Sequence, residues 1–368
     1  MAIGNFHLQK FDDASKVKLH IFEYYTKEWL PVYLHNSYID NIIILDLFCG
    51  PGVDIEDNAG SPVRILDVLK TYERDIIKVC KKISLYFNDS DAEKVCALKE
   101  RICISDYANC EYRIDNADFI IHQLLPEFNN KNTATLLILD PTGLQIPVDT
   151  IRTISNISNL DYILYFPASF IYRFKDNDSF VKKLPGISSV DILNPWNTID
   201  AFRKYIHSNC TPRNKKYYVG SFGVKKENKG KSISGIIFGS NSPRGLEKFI
   251  TAAWQSDPVD GSGLHALMNI NTRNIKLPIS FLHGMSTKKK LQFDNELKQK
   301  ILARELVTNE DVFHFSLEHQ FPSNYVRKII KQMIMDGLLQ NDIQKFHLTY
   351  RSIFQQKNII PIKLHDKI

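Results

Sequence analysis

Apolar residues recur along the first 170 positions in short blocks, with stretches of helical spacing between them. Residues 13–36 carry Val17, Leu19, Ile21, Phe22, Tyr25, Trp29, Leu30 and Val32 at mixed helical intervals, which predicts one amphipathic helix ending near Pro31 or shortly after. Short apolar blocks at 42–47, 83–87, 111–114, 135–139 and 162–166 predict strands. Helices fall between them. Ser61 is a plausible N-cap with Pro62 in the first turn of a helix from 61 to 70, Asp91 can cap a helix running to Arg101, and 119–125 reads as a third. Strands alternating with helices predict an α/β fold, a doubly wound parallel sheet.

From about 173 to 231 the periodicity fades, and Pro185, Pro195 and Pro212 interrupt any long helix, so this stretch reads as an insertion with short helices. Residues 233–238 are again strand-like, a late hairpin partner, and 244–254 supplies the last helix of the sheet domain. Residues 291–350 form a separate pattern. Leu297, Ile301, Leu302 and Leu306 mark one helix and 312–317 a second. Pro322 and Ser323 open a third, with Val326, Ile329, Ile330, Met333 and Ile334 on its buried face and Gly337 at its end. Segments 338–340 and 345–350 read as two short strands around Asn341–Asp342. Three helices and a β-ribbon make a winged-helix pattern, whose third helix can enter a DNA major groove. Asn324, Arg327, Lys328 and Lys331 would then form the nucleic-acid-binding face. Winged helices also dock proteins, and both uses stay open. The expected organisation is a helical lead-in (1–36), a sheet domain (37–172 and 232–284), an insertion (173–231) and a winged-helix-like domain (285–368).

Composition narrows the class. Hydrophobic content of 43% and charged content of 24% fit an ordinary globular protein. No apolar run approaches the roughly 18 residues needed to span a bilayer, and the N-terminus lacks the pattern of a secretion signal. A cytoplasmic protein without membrane association is expected. Cys49, Cys80, Cys96, Cys103, Cys110 and Cys210 show no metal-ligand spacing, so no metal is expected and the thiols read as reduced. The net charge of +6 is uneven: 288–368 holds 14 basic residues against 9 acidic, and 175–229 holds 11 against 5. Such basic surfaces suit a polyanion partner, DNA or RNA, or simply keep the chain soluble.

The candidate chemistry starts at 42–52, IIILDLFCGPG, where an apolar strand ends in Asp46 and a loop bearing Gly50 and Gly52 follows. A parallel strand closing on an acid and a glycine loop is the nucleotide end of an open α/β sheet. The Asp-x-x-x-Gly-x-Gly spacing differs from the dinucleotide fingerprint, and no lysine follows as in a P-loop. It resembles the cofactor loop of class I S-adenosylmethionine (SAM) methyltransferases. On that resemblance Asp46 and the backbone from Phe48 through Gly50 to Gly52 would hold the amino-acid part of SAM. Asp89 (or its competitor Asp91) would take the ribose hydroxyls. Asp118 would accept from adenine, unless it only caps the following helix. Asp140-Pro141 at the end of the fourth strand is similar to the Asp/Asn-Pro-Pro-aromatic motif of amino methyltransferases, with Asp140 facing the acceptor. Thr142 and Gly143 replace the second proline and the aromatic, and a strand-ending turn is the other reading. Cys49 reads as a packing residue and His122 as a core residue.

The pieces EYYTKEWLPVYL, IIILDLFCGPGVDIEDNAGSPVRIL, YFNDSD, LLILDPTGLQIPVDTI and IIFGSNSPRGLEKF run in order from about residue 7 to 255. Together they resemble the three-Cys-motif partner family. That resemblance implies a Rossmann-like class I methyltransferase sheet, SAM as cofactor, and a three-cysteine-motif protein, itself resembling radical-SAM enzymes, as partner. It implies a probable SAM-dependent methyltransferase acting on or near nucleic acid. The alternative is a non-catalytic partner protein, with or without SAM, that docks DNA or protein through its winged helix.

Overall fold

A computed structural model describes residues 10–102, 107–177, 184, 187, 192–225, 232–266 and 285–365. The chain divides into two compact units, Met1–Gly245 and Leu246–Ile368. The division falls well before the expected boundary at 285. Among the described residues no helix is long and apolar enough to cross a membrane.

The first unit is built on seven strands: β1 (Asn41–Asp46), β2 (Lys82–Asn88), β3 (Asn109–Arg113), β4 (Thr133–Leu139), β5 (Leu160–Phe166), β6 (Tyr218–Lys225) and β7 (Ile233–Ser240). They lie in the order β3-β2-β1-β4-β5-β7-β6. The first five are mutually parallel, and β7 runs antiparallel to both β5 and β6. Strand order reverses between β1 and β4, which opens a crevice at their carboxyl ends. Register sets Asp46 level with Phe87 on one side and Ile138 on the other.

Alternating side chains of these strands feed two faces. On one, Ile43, Leu45, Leu137 and Leu164 join a core with α5 (Ala117–Phe128), α6 (Val148–Ser155), α7 (Ala168–Phe174) and α8 (Pro195–Cys210). On the other lies α1 (Asp13–Leu34), whose Tyr25 ring sits 4.9 Å from that of Phe238. Helix α1 carries Pro31 in its last turn and continues to Leu34. The hydroxyl of Tyr25 donates to buried Asp161 (2.7 Å). The remaining helices are α2 (Ser61–Thr71), α3 (Glu73–Val79) and α4 (Ala92–Arg101). Gly60, not Ser61, occupies the N-cap of α2, and no side chain caps this helix.

The stretch expected as an insertion contributes to the sheet. Pro195 sits in the first turn of α8, where its missing N–H costs nothing, and Asn194 caps it by accepting from the Asn197 amide (2.8 Å). Residues 218–225 are the edge strand β6, whose alternation is obscured by Gly220 and Gly223. The second glycine is there because a Cβ would meet the Trp196 ring at 2.0 Å. Of the expected insertion, residues 178–183, 185–186, 188–191 and 226–231 lie outside the described residues, as does Cys103.

The boundary falls within the first turn of α9 (Pro243–Ser256), and the second unit continues with α10 (Lys288–Leu302), α11 (Asn309–Glu318) and α12 (Ser323–Met335). Thr308 and Asp311 form a reciprocal capping box at α11. Gly337, at φ +71°, ends the third helix of the predicted trio. The expected strand at 345–350 does not form. Buried Phe346 and Leu348 mimic strand alternation, but a turn at 342–346 enters that segment, 346–348 adopt no regular element, and a π-helical turn follows at Arg351–Gln355. Leu339 instead bridges Leu364, and Thr308 bridges Pro361.

Candidate functional site

The loop after β1 is shaped by two glycines with positive φ, +59° at Gly50 and +85° at Gly52. At Gly52 a Cβ would lie 2.6 Å from Leu98 Cδ1, and the Gly52 carbonyl accepts from the Gly60 amide (2.7 Å). The loop is tied to its neighbours through Asn88 at the end of β2. The Asn88 carbonyl accepts from the Cys49 amide (2.8 Å), and its Nδ2 donates to the carbonyls of Leu47 (3.1 Å) and Asp115 (3.0 Å). One buried amide thus gathers the ends of β1, β2 and β3.

Asp46 is fully buried beneath this loop. Its Oδ1 accepts from the Phe48 amide (3.3 Å), and the nearby Ser61 hydroxyl favours the ionised carboxyl. Its Oδ2 has no hydrogen-bond partner. Burial pushes the Asp46 carboxyl up to about 7, against the pull of the Ser61 and Phe48 bonds and with a further push from Asp140. An unpartnered buried carboxylate oxygen is costly unless a ligand supplies the donor.

Asp89 lies at the same loop. Its Oδ2 accepts from the Gly50 amide (3.2 Å), its Oδ1 accepts from the Asp91 amide (3.0 Å), and the Lys94 ammonium is 3.9 Å away. Asp91 serves as the α4 N-cap, accepting from the Glu93 amide (3.0 Å). Further along, Asn116 caps α5, so Asp118 is not the cap. The Asp118 carboxylate bonds the Thr150 hydroxyl of α6 and lies 3.4 Å from His122 Nδ1, turned toward α6. His122 is exposed rather than in the core, because the apolar stripe of α5 runs through Ile120, Ile121, Leu124 and Phe128 and leaves it outside. Ile114 (50% exposed) and Phe119 (57%) present apolar surface to solvent beside Asn116. Burial pushes the Cys49 thiol far up, with Asp46 and Asp89 adding to it, which fits a packing role and no nucleophilic one.

At the end of β4, Asp140 pairs with Lys18 of α1. The Lys18 ammonium also sits 4.8 Å above the Tyr165 ring of β5. Burial lowers the affinity of Lys18 for its proton, but Asp140, Tyr165 and Asp12 together outweigh it and the net shift is upward, which keeps Lys18 charged beside Asp140. Lys18 and Tyr165 escaped the sequence reading. The signal for Lys18 was present: it stands on the apolar stripe of α1 with Ala14, Ile21, Phe22 and Tyr25, where a charge is unusual and needs a partner. Pro141 follows Asp140 into the wall of a cavity of about 270 Å³ between the segment 141–151, β5 and α8.

In the second unit, Asn324, Lys328 and Lys331 are exposed on one face of α12. Arg327 is not part of that open face: it is half-buried, and its Nη2 donates to the Ile343 carbonyl (2.7 Å).

No family model matches this chain, and no curated protein matches it. Solved structures with a similar chain path include LPL1258 from Legionella pneumophila, at 12% identity and TM-score 0.39, over 67% of this chain and 94% of that one. A probable spermidine synthase from Corynebacterium glutamicum is similar at 11% identity and TM-score 0.36, over 69% of this chain and 75% of that one. A SAM-dependent methyltransferase from Agrobacterium tumefaciens is similar at 8% identity and TM-score 0.34, over 62% of each chain.

Proposed function

We propose that this chain binds SAM at the carboxyl ends of β1 and β2 and acts as a SAM-dependent methyltransferase. The observation that carries the reading is the buried Asp46 with its Oδ2 unpartnered, under a loop whose Gly52 has no room for a side chain. The donor set fits the cofactor. Asp46 and the backbone from Phe48 to Gly52 face the amino-acid part, Asp89 the ribose hydroxyls, and Ile114 and Phe119 offer apolar surface to adenine near Asp118. The strand order, with its reversal between β1 and β4 and an antiparallel β7, suits the methyltransferase sheet that the sequence resembles. When bound, the sulfonium supplies a methyl group to an acceptor held in line behind it. Asp140, paired with Lys18, is the group of this chain that faces that acceptor. Calorimetric titration with SAM and S-adenosylhomocysteine tests the cofactor site: micromolar binding that Asp46→Ala removes while the fold survives supports it, and no binding of either ligand sinks it.

The finer reading is that the protein acts on or near nucleic acid in the cytoplasm. Its support is the exposed stripe Asn324, Lys328 and Lys331 on a helix that follows two others, as in a winged helix. Short duplex DNA and RNA probes at graded salt test it. Affinity that falls steeply with salt, with a shallower slope for Lys328→Ala/Lys331→Ala, supports phosphate contact; a flat response turns the stripe into a protein-docking face. The second reading, a partner of a three-cysteine-motif protein, is favoured by the missing aromatic after Asp140-Pro141, and co-purification with such a protein tests it.

A further inference from the structure

The cavity beyond Pro141 shares no described lining residue with the proposed SAM site. Its volume is about 270 Å³. Its described walls are mostly hydrocarbon and aromatic, with Leu144, Ile146, Val148, Leu164, Phe166 and Phe202 prominent. The only charged side chain among the described lining residues is Asp149, which is 87% exposed and bonded to Arg152. Among the described lining residues no lysine or arginine is present to neutralise a phosphate, and a buried cation would also lack an interior partner there. A cavity of about 150 Å³ lined by aliphatic and aromatic side chains accepts benzene, so this one has room for a fused two-ring system. One end abuts polar chemistry. Pro141 lines the cavity and directly follows Asp140, and Tyr165 lines it while carrying the Lys18 ammonium over its ring.

We infer that this cavity is the acceptor subsite, and that it takes a neutral, flat, largely apolar ring whose polar edge points toward Asp140 and Lys18. The inference rests on the methyltransferase reading above for its acceptor role, and on the cavity alone for its ligand class. Burial of the ring in the hydrocarbon walls supplies affinity, and the ion pair supplies orientation at one end.

Gly143 offers a clean way to block the space. It lines the cavity, and a Cβ there would have no heavy atom within 4 Å. Gly143→Leu therefore adds bulk to the cavity wall from a position with open space at Cβ, and Leu144→Trp is a second blocking variant on the same wall. Binding of indole, phenyl phosphate and benzylammonium is measured by saturation-transfer NMR on the full chain, alongside calorimetry with SAM. Expected are indole binding to the unaltered protein, weakening by about tenfold or more in each blocking variant, weaker binding of both charged probes, and unchanged SAM affinity. Indole binding that both folded variants retain, or charged probes that bind as well as indole, overturns the ligand class. SAM binding with no indole binding also overturns it and leaves the cofactor reading intact. Indole behaving as expected in a protein that binds no SAM removes the cofactor reading and the acceptor role together, and leaves the ligand class standing.

Discussion

Two carboxylates end neighbouring strands at the same edge of the sheet and are treated in opposite ways. Asp46 on β1 is fully buried, has one oxygen without a partner, and is pushed up to about 7 by burial. Asp140 after β4 is paired with a lysine from another helix. The end of β1 is thus an unfinished polar site, and the end of β4 is electrostatically complete before any ligand arrives. Buried polar groups are normally satisfied within the protein, so an unfinished one points to what the fold receives from outside. The difference suggests a division of labour: the β1 side holds a polar cofactor, and the β4 side orients a second molecule from an apolar chamber.

Breaking the Lys18–Asp140 pair should have the largest effect. Lys18→Met strands a mostly buried carboxylate, and removal of one partner of such a pair costs ~3 kcal/mol. The thermal midpoint should fall well below that of the double variant Lys18→Met/Asp140→Leu; equal midpoints would mean the pair is solvated and the contrast with Asp46 is lost. Next, Asp46→Asn keeps the shape but removes the charge, and should weaken SAM binding by about 10- to 100-fold, the worth of a charged hydrogen bond. Calorimetry reads this directly, and undiminished affinity would strip Asp46 of its role.

Gly52→Ala should cost about 1–3 kcal/mol, because the φ of +85° and the contact with Leu98 both resist a methyl group. Chemical denaturation checks it, and a neutral result would mean the loop has slack. A smaller effect is expected from pH. Burial pushes Asp161 up to about 6 and Asp46 to about 7 in the folded protein, against an unperturbed value of 3.8. Both groups hold their protons more tightly folded than unfolded. Their contribution to stability is therefore complete below about pH 4 and is lost as pH rises through 6 for Asp161 and 7 for Asp46. Midpoints between pH 5 and 8 should fall more in the unaltered protein than in Asp46→Asn; parallel curves would contradict the burial of a chargeable Asp46.

Much of this architecture was legible in the residues. The blocks at 42–47, 83–87, 135–139 and 162–166 are buried on both faces and bounded by polar turns, so strand type and order along the chain could be read directly. The same reading failed at 218–225, where Gly220 and Gly223 interrupt the pattern and Gly223 makes room for Trp196, and at 345–350, where buried Phe346 and Leu348 alternate without strand pairing. Local signals weaken wherever a distant side chain dictates the residue.

The sequence by itself determined the alternating α/β organisation, the acid-and-glycine loop after β1 and the acid closing β4, because each is written in contiguous residues whose conformational demands are local. Only the tertiary structure decided that Lys18 meets Asp140, that Asn88 ties three strand ends together, that Asp118 turns to Thr150, and that Arg327 is spent on a carbonyl. Those partners lie 16 to 122 residues apart. Their meeting depends on strand order and helix packing, which a one-dimensional pattern does not encode.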